Sequence, residues 1–162
     1  HGRAGRWARA LQLLHEMRSA GLGPSRIGFS AAISALELGG EWARALGLFT
    51  EMRHSVAMPD VVAFNATISA CEKGAQWEQS CHLLALMRRA EQVPDGISFG
   101  AALSACERGS RWESVLSLLT EVRELGVALG VVGLGAAASA CEQGGQLEQA
   151  ASLQTALRRH IT

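Results

Sequence analysis

Several features that define common classes of protein are scarce or missing in this sequence. It has no tyrosine, and aromatic residues make up only 5% of its 162 residues. Basic and acidic side chains number 15 each, so the formal net charge is zero. Domains that bind nucleic acid usually carry a basic excess, but a local stripe of basic residues can act within a neutral whole. The balance therefore argues against a strongly basic binder without excluding a nucleic-acid partner.

Long apolar runs are also missing. No stretch of about 18 apolar residues, the length of a membrane-spanning helix, is present, so we expect no membrane partner. No secretory signal opens the chain. The first residues fall in the middle of a pattern, so we expect a piece of a longer protein whose targeting peptide would lie elsewhere.

Residues with the spacing of a metal or catalytic site are missing as well. The four cysteines contain no C-x-x-C pair, and the histidines are scattered without ligand spacing. We find no nucleophile with a matching base and no glycine-rich loop that would cradle a phosphate. We therefore expect no enzyme, no metal, no cofactor and no small-molecule substrate, and we expect reduced, partly buried thiols. The cysteines are Cys71, Cys81, Cys106 and Cys141, and the histidines are His1, His15, His54, His82 and His160.

What the sequence does contain is a repeat of 35 residues. Self-similarity at such an interval is typical of stacked repeat architectures, and five columns of residues at one interval are not expected by chance. The columns are Trp7, Trp42, Trp77 and Trp112, followed by Leu147; Pro24, Pro59 and Pro94, followed by Leu129; Gly39, Gly74, Gly109 and Gly144; Glu37, Glu72, Glu107 and Glu142; and Arg18, Arg53, Arg88, Arg123 and Arg158.

The proline column divides the chain into units. We predict a partial unit over 1–25, full units over 26–60, 61–95 and 96–130, and an incomplete, degenerate unit over 131–162. No linker or low-complexity segment interrupts the series, so the whole of 1–162 is predicted to be one repeat array.

Each unit is predicted to form two helices. In the unit 61–95, Phe64, Ile68 and Cys71 have the spacing of one helical face. Gly74 follows the last of these apolar positions, where a left-handed helix cap favours glycine. A second apolar face begins at Trp77 and runs through Leu83, Leu84 and Met87.

The end of a unit carries its own signals. Pro94 cannot continue a helix, and Asp95 stands directly before the next first helix, where it is expected to cap the helix N-terminus. Asp60 holds the same place one unit earlier. A hairpin of two short helices cannot bury its apolar face alone, so neighbouring units must stack. The predicted fold is all-α, a right-handed α-solenoid of stacked helix-turn-helix hairpins.

Stacking also predicts roles for two columns. The tryptophans stand at the start of each second helix on its apolar face, so we expect them to pack between repeats rather than to stack on bases. Cys71, Cys106 and Cys141 are equivalent positions, which stacked helices place on the order of 10 Å apart. A disulfide needs Cα atoms within about 7 Å, so these thiols are expected to fill the core.

The unit "VVAFNATISACEKGAQWEQSCHLLALMRRAEQVPD", residues 61–95, resembles a pentatricopeptide repeat. The opening V-x-F-N-x-x-I, the K-G near the middle, the L-x-x-M-R stretch and the closing P-D all match that family's pattern. The units 26–60 and 96–130 match as well. The interval of 35 residues distinguishes it from tetratricopeptide repeats, whose interval is 34.

The resemblance implies a function and a location. Pentatricopeptide proteins bind single-stranded RNA in mitochondria and chloroplasts, with one repeat facing one base. They act in transcript stabilisation, processing or editing. We therefore expect an RNA partner and an organellar location. The alternative is a scaffold that binds other proteins without reading RNA, which the zero net charge favours.

The resemblance also implies which positions read the bases: the fifth and the last of each unit, with the second as a wedge against the base. The first full unit then has Ser30 and Asp60, which favour a purine, and the second has Asn65 and Asp95, which favour uracil. The third has Gly100 and Gly130, and the last has Gly135; these glycines have no side chain with which to read a base. The expected preference is 5′-purine-U-N-N-3′, and the wedges are Ile27, Val62, Ile97 and Val132.

Charged residues near the expected concave face also bear on this interface. Lys73 and Arg108 end the predicted first helices near the expected concave face, which makes them candidate phosphate contacts. The glutamate column beside them would oppose RNA if it faced inward.

The segment 126–140 departs from the family pattern, with Leu129 and Gly130 in place of Pro-Asp and with Gly133 and Gly135 inside a helix. We expect the first helix of 131–162 to be the least stable.

Overall fold

The computed structural model describes the backbone of residues 2–161 and the side chains of residues 5–156, 158 and 159. His1 and Thr162, which bound the predicted array, and the side chain of His160 lie outside the described residues. Over the described backbone the chain forms nine α-helices and no strand. They are α1 (Gly2–Ser19), α2 (Arg26–Leu38), α3 (Trp42–Arg53), α4 (Val61–Lys73), α5 (Trp77–Arg89), α6 (Gly96–Arg108), α7 (Trp112–Leu125), α8 (Val131–Gln143) and α9 (Leu147–Ile161).

The helices pair as hairpins that stack into a solenoid, which confirms the predicted all-α fold. The first helices α2, α4, α6 and α8 are each in contact with the next one along the stack. The second helices α1, α3, α5, α7 and α9 do not approach one another within 8 Å between Cα atoms in the described chain. Because one side of the stack is close-packed and the other is spread, the first helices form the inner side of the curve.

One buried column runs the length of the stack. Phe29, Phe64 and Phe99 are exposed by no more than 1%, and Leu134 continues the column at 8%. Phe64 also meets Phe49 of the preceding second helix edge to face, with ring centroids 4.8 Å apart. These side chains belong to one core cluster that continues through neighbouring hairpins, so burial is shared between repeats and stability depends on nearest-neighbour interfaces.

The glycine that ends each first helix serves a purpose different from the predicted one. Gly74 has φ −84°, which any residue adopts, and the left-handed residue is Ala75, with φ 56°. Gly74 is required because Trp42 of the preceding repeat lies against it: a Cβ atom there would come within 3.0 Å of the indole. The same relationship joins Trp7 to Gly39, Trp77 to Gly109 and Trp112 to Gly144.

This contact also confirms the packing role predicted for the tryptophans. All four are half-buried and pack against the hydrophobic core. Two of them are covered on one face by a guanidinium group, Arg44 over Trp7 at 4.4 Å from the ring centroid and Arg111 over Trp77 at 4.6 Å. The indoles therefore lie between repeats, and those of Trp7 and Trp77 have one face covered by an arginine.

The first helices begin at capping residues, as predicted for two of them. Asp60 accepts a hydrogen bond from the backbone N–H of Ala63, and Asp95 accepts from those of Ile97 and Ser98. Ser25 caps α2 in the same way through Gly28. Gly130 stands at this place before α8 and has no side chain to make the bond.

The degenerate unit nevertheless contains a complete first helix. Helix α8 has 13 residues, as α4 and α6 do. Gly133 has a packing reason, because a Cβ atom there would lie 3.3 Å from the Cα of Gly100 on α6. Gly135 faces open space and has no such reason. Whether α8 is the least stable first helix stays a prediction.

Candidate nucleic-acid interface

Four apolar side chains are exposed at equivalent places along the inner helices. Each stands two positions after the N-cap and is the second residue of one of the helices α2, α4, α6 and α8. They are large and apolar, yet 59–81% of their surface is exposed, so the core does not account for them. A row with one exposed apolar side chain per repeat is suited to contact a ligand whose own units recur at the same spacing. The row consists of Ile27, Val62, Ile97 and Val132, the predicted wedges.

Two of the three consecutive pairs in this row border open pockets. The larger pocket, about 560 Å³, lies between Ile97 and Val132, with Ser69, Glu72 and Ser104 among its lining residues. A second, about 360 Å³, lies between Ile27 and Val62 and includes Ser30 and Asp60 in its wall. Ser30, Asp60 and Asp95 of the predicted reading residues therefore line the same spaces that the predicted wedges border, whereas Asn65 lines neither pocket.

Asn65 and Asp95 are brought together by the stacking of α4 and α6. The Asn65 Nδ2 donates a hydrogen bond to Asp95 Oδ1 at 3.1 Å. The Ser98 hydroxyl is within hydrogen-bond distance of Asn65 Oδ1, in a short contact, and of Asp95 Oδ1, at 3.0 Å, and its one proton can be donated to either oxygen. Asn65 is only 9% exposed, whereas Asp95 lies at the surface. The amide is thus held in one orientation, and its remaining lone pair and N–H are what it can offer to a base.

The charge of Asp95 is stabilised by the same contacts. Its partial burial acts to raise the pKa, but hydrogen bonds from the backbone and hydroxyl of Ser98, from Asn65 and from the backbone of Ile97 outweigh it. The pKa of Asp95 consequently lies below its usual value. The carboxylate remains ionised at neutral pH and presents an acceptor at the rim of the pocket beside Ile97.

Ser30 and Asp60 form a different arrangement at the equivalent places. Asp60 accepts from the backbone of Ala63 at 3.0 Å, and no bond joins it to Ser30. The Ser30 hydroxyl is buried and has no hydrogen-bond partner among the described residues. Ala63 stands where Ser98 stands one repeat later, so the hydroxyl that organises Asn65 and Asp95 has no counterpart here.

The third unit presents glycine where the first two present side chains. Gly100 and Gly130 both line the larger pocket. A Cβ atom at Gly100, Gly130 or Gly135 would meet no atom within 4 Å. The space that a reading side chain would occupy is therefore open, and this repeat provides walls and a wedge without a polar group from either reading position.

Lys73 and Arg108, the candidate phosphate contacts, are paired across repeats with the glutamate column. The Lys73 ammonium lies 2.6 Å from the Glu37 carboxylate. Arg108 lies 3.2 Å from the Glu72 carboxylate and donates to the Glu72 carbonyl as well. The side chains of Lys73 and Arg108 remain 40% and 51% exposed. The glutamates therefore connect neighbouring first helices and offset the charges of Lys73 and Arg108.

Ser98 is the residue of this site that sequence reasoning missed. It forms a capping box with Asp95, because each side chain bonds the backbone N–H of the other. The pattern Asp-x-x-Ser at the start of a helix is the signal that could have revealed it. Its second contact, to Asn65 of the preceding repeat, depends on how the repeats stack and has no sequence signal.

Two other kinds of site are absent from the described part of the chain. No helix there is long and apolar enough to cross a membrane. No group of three or more metal-ligating side chains converges among the described residues. The inner face is the candidate site because of its exposed apolar row.

The fold and this inner face define an α-solenoid repeat scaffold, and the comparisons place it in a family. The pentatricopeptide repeat domain matches residues 12–73, and a single pentatricopeptide repeat matches residues 1–22. The chain belongs to the pentatricopeptide repeat family. Among curated proteins, none matches it by sequence.

Solved structures share the fold at low sequence identity. The pentatricopeptide domain of Arabidopsis thaliana protein-only RNase P 1, in complex with tRNA, has a TM-score of 0.86 and 18% identity over 98% of this chain and 84% of that one. PPR10 with an 18-nucleotide psaJ RNA element has a TM-score of 0.78 and 20% identity over 98% of this chain and 23% of that one. PPR10 from maize has a TM-score of 0.72 and 19% identity over 96% of this chain and 22% of that one. The chain thus spans less than a quarter of PPR10.

Proposed function

We propose that this chain is a scaffold that binds single-stranded RNA along its inner face. The observation that carries the proposal is the row formed by Ile27, Val62, Ile97 and Val132, which is exposed at the repeat interval and borders pockets lined by Ser30, Asp60 and Asp95. Successive bases of a single strand recur at a regular interval and have apolar faces that such side chains can contact. Two structures of the same fold, the RNase P domain and PPR10, hold RNA.

Base preference in this proposal follows the units 26–60, 61–95, 96–130 and 131–162, after the partial unit 1–25. Asn65, oriented by Asp95 and Ser98, favours uracil as the family resemblance implies. Ser30 with Asp60 favours a purine, and the buried Ser30 hydroxyl without a partner is the group that a base could satisfy. The glycine positions of the last two units accept any base, so the preferred strand is 5′-purine-U-N-N-3′.

The ion pairs of Lys73 and Arg108 determine how tightly RNA is expected to bind. Because Glu37 and Glu72 hold these side chains, phosphate binding must compete with an existing partner, and we expect weak affinity with a shallow salt dependence. The same observation favours the alternative function, a scaffold for other proteins, because it offsets two of the charges that would attract a phosphate. In either case the chain acts by binding and not by catalysis.

A cellular role in organellar transcript stabilisation, processing or editing completes the proposal. It comes from the family resemblance, which also implies a chloroplast or mitochondrial location. The RNase P neighbours are ribonucleases by name. For this chain, participation in such a reaction is proposed only as the RNA-binding part.

Fluorescence anisotropy with labelled 8-nucleotide strands tests the binding proposal. Strands containing purine-U within an otherwise uniform sequence are compared with strands in which the two bases are exchanged, at low and at high salt. We expect tighter binding of the purine-U strand and weaker binding as salt rises, since phosphate contacts release counterions. No binding of any strand at low salt would favour the protein scaffold.

Alanine variants of the wedges locate the site. Ile97→Ala is expected to weaken binding of every strand, because the removed side chain contacts base faces without reading their edges. Leu38→Ala is the matched control: Leu38 is also apolar and 54% exposed, but it stands at the opposite end of a first helix, roughly 16 Å along the axis from the wedge position. Equal loss in both variants would contradict the proposed site.

A further inference from the structure

Two cysteines from neighbouring repeats meet inside the stack. Cys81 lies on α5, the second helix of one hairpin, and Cys106 lies on α6, the first helix of the next. Their Sγ atoms are 3.3 Å apart. All four cysteines are free thiols in this structure. The cysteine column led us to expect only core filling, but this pair joins a member of that column to Cys81, which stands outside it.

We propose that Cys81 and Cys106 form a redox modification site, which hydrogen peroxide converts into a disulfide between α5 and α6. A disulfide bond is about 2.05 Å long, so the two sulfur atoms need to approach by only about 1.3 Å. The two helices already pack directly against each other. The link would close a chain segment of 25 residues and would tie the second helix of one repeat to the first helix of the next.

The reaction divides into two balanced steps. The Cys81 thiolate attacks one oxygen of the peroxide, the O–O bond breaks, and sulfenic acid forms with release of hydroxide, which takes up a proton to give water. The Cys106 thiol then attacks the sulfenic sulfur, the S–O bond breaks, and a second water leaves with the Cys106 proton. Two thiols are oxidised and one peroxide is reduced to two waters. A dithiol reductant reverses the link by exchange.

The surroundings of the two thiols assign them these different roles. The hydrogen bond from Cys106 lowers the pKa of Cys81, although burial and the nearby Glu121 carboxylate act in the opposite direction. The same hydrogen bond and burial raise the pKa of Cys106. Cys81 is half-buried and Cys106 is fully buried, so Cys81 is the thiol that a small oxidant reaches first and Cys106 is the resolving partner.

Peptide mapping of the full chain after peroxide treatment tests the site. Trypsin places the four cysteines on four different peptides, 54–73, 74–88, 90–108 and 124–158. We expect peptides 74–88 and 90–108 to be joined under non-reducing conditions and released by dithiothreitol, with loss of two hydrogen atoms in the intact mass. Sulfinic acid on Cys81 without a link, or links to the other peptides or between chains, would overturn the proposal.

Matched variants separate this pair from general thiol oxidation. Cys81→Ser and Cys106→Ala should each abolish the link, whereas Cys71→Ala and Cys141→Ala, which remove equally buried thiols of the same column, should leave it intact. Circular dichroism shows which variants fold. Oxidation should raise the Tm of the original chain by roughly 5–10 °C. The same treatment should not raise the Tm of Cys81→Ser. No RNA is present in these measurements, so their outcome is independent of the proposed RNA binding.

Discussion

Trp42 lies so close to Gly74 that a methyl group on this glycine would overlap the indole ring. The two residues belong to neighbouring repeats, and the same contact recurs along the chain. The tryptophan and glycine columns of the sequence are therefore two halves of one interface. This contact is one of those that set the distance between neighbouring hairpins, and it requires a residue without a side chain at position 74.

Replacing Gly74 by alanine should separate two repeats. The added methyl group must displace the indole of Trp42, and overpacking of this kind costs about 1–3 kcal/mol. Gly47→Ala is the control, because Gly47 lies within α3 and a Cβ atom there meets nothing within 4 Å; it should stabilise by up to about 1 kcal/mol. Urea unfolding measures both. If Trp42→Leu does not reduce the cost of Gly74→Ala, the contact is not its cause.

Helix α8 should exchange its amide hydrogens faster than α4. It lacks a side-chain cap at Gly130 and contains two glycines, each of which costs about 1 kcal/mol relative to alanine. Hydrogen exchange over 131–143 and 61–73 gives the comparison, and equal protection would contradict it. Gly135→Ala should slow exchange in α8, whereas Gly133→Ala should not, because its methyl group would press on Gly100.

Ser98→Ala should release Asn65 and raise the pKa of Asp95 toward its ordinary value of 3.8, because it removes hydroxyl contacts to both. The folded pKa of Asp95 is lowered, so its stabilisation is present above the ordinary pKa and is lost as pH falls through the lowered one. The variant should therefore lose less stability than the original chain on acidification.

An NMR titration of the Asp95 carboxyl carbon checks this directly, with Ser104→Ala as the control on the same helix. In the RNA assay, Ser98→Ala should reduce the preference for uracil more than it reduces overall affinity. An unchanged Asp95 titration in Ser98→Ala would show that the hydroxyl does not organise the cluster.

Glu37→Gln should strengthen RNA binding. The substitution removes the partner of Lys73, which then becomes available to a phosphate. The slope of log K against log salt should become steeper by up to about the amount that one additional phosphate contact contributes. Glu78→Gln changes the net charge equally but lies exposed on the second helix α5. Equal effects of the two variants would mean that total charge, not Lys73, controls binding.

The double variant Gly100→Asn with Gly130→Asp should create a second uracil-preferring repeat. Both positions have room for a side chain, and an aspartate at 130 can cap α8 as Asp95 caps α6. The expected result is tighter binding of purine-U-U than of purine-U-A, a difference that the original chain should not show. Anisotropy with these two strands measures it, and Gly135→Asn alone, without its paired aspartate, serves as the control.

The sequence by itself determined the hairpin, the interval and the helix starts. These depend on local rules: apolar residues at helical spacing must face a core, proline ends a helix, and an aspartate caps the next one. Phe64, Ile68 and Cys71 are fully buried for this reason. The positions of the wedges and of the reading residues in the chain followed from the same interval together with the family pattern.

Only the tertiary structure decided which residues meet across repeats. Trp42 with Gly74, Glu37 with Lys73, Ser98 with Asn65 and Cys81 with Cys106 are all contacts between neighbouring hairpins. They depend on the offset and rotation of one hairpin against the next, which arise from the summed packing of many side chains. No local pattern encodes that offset, so the glycines were assigned to the wrong task and the cysteine pair was missed.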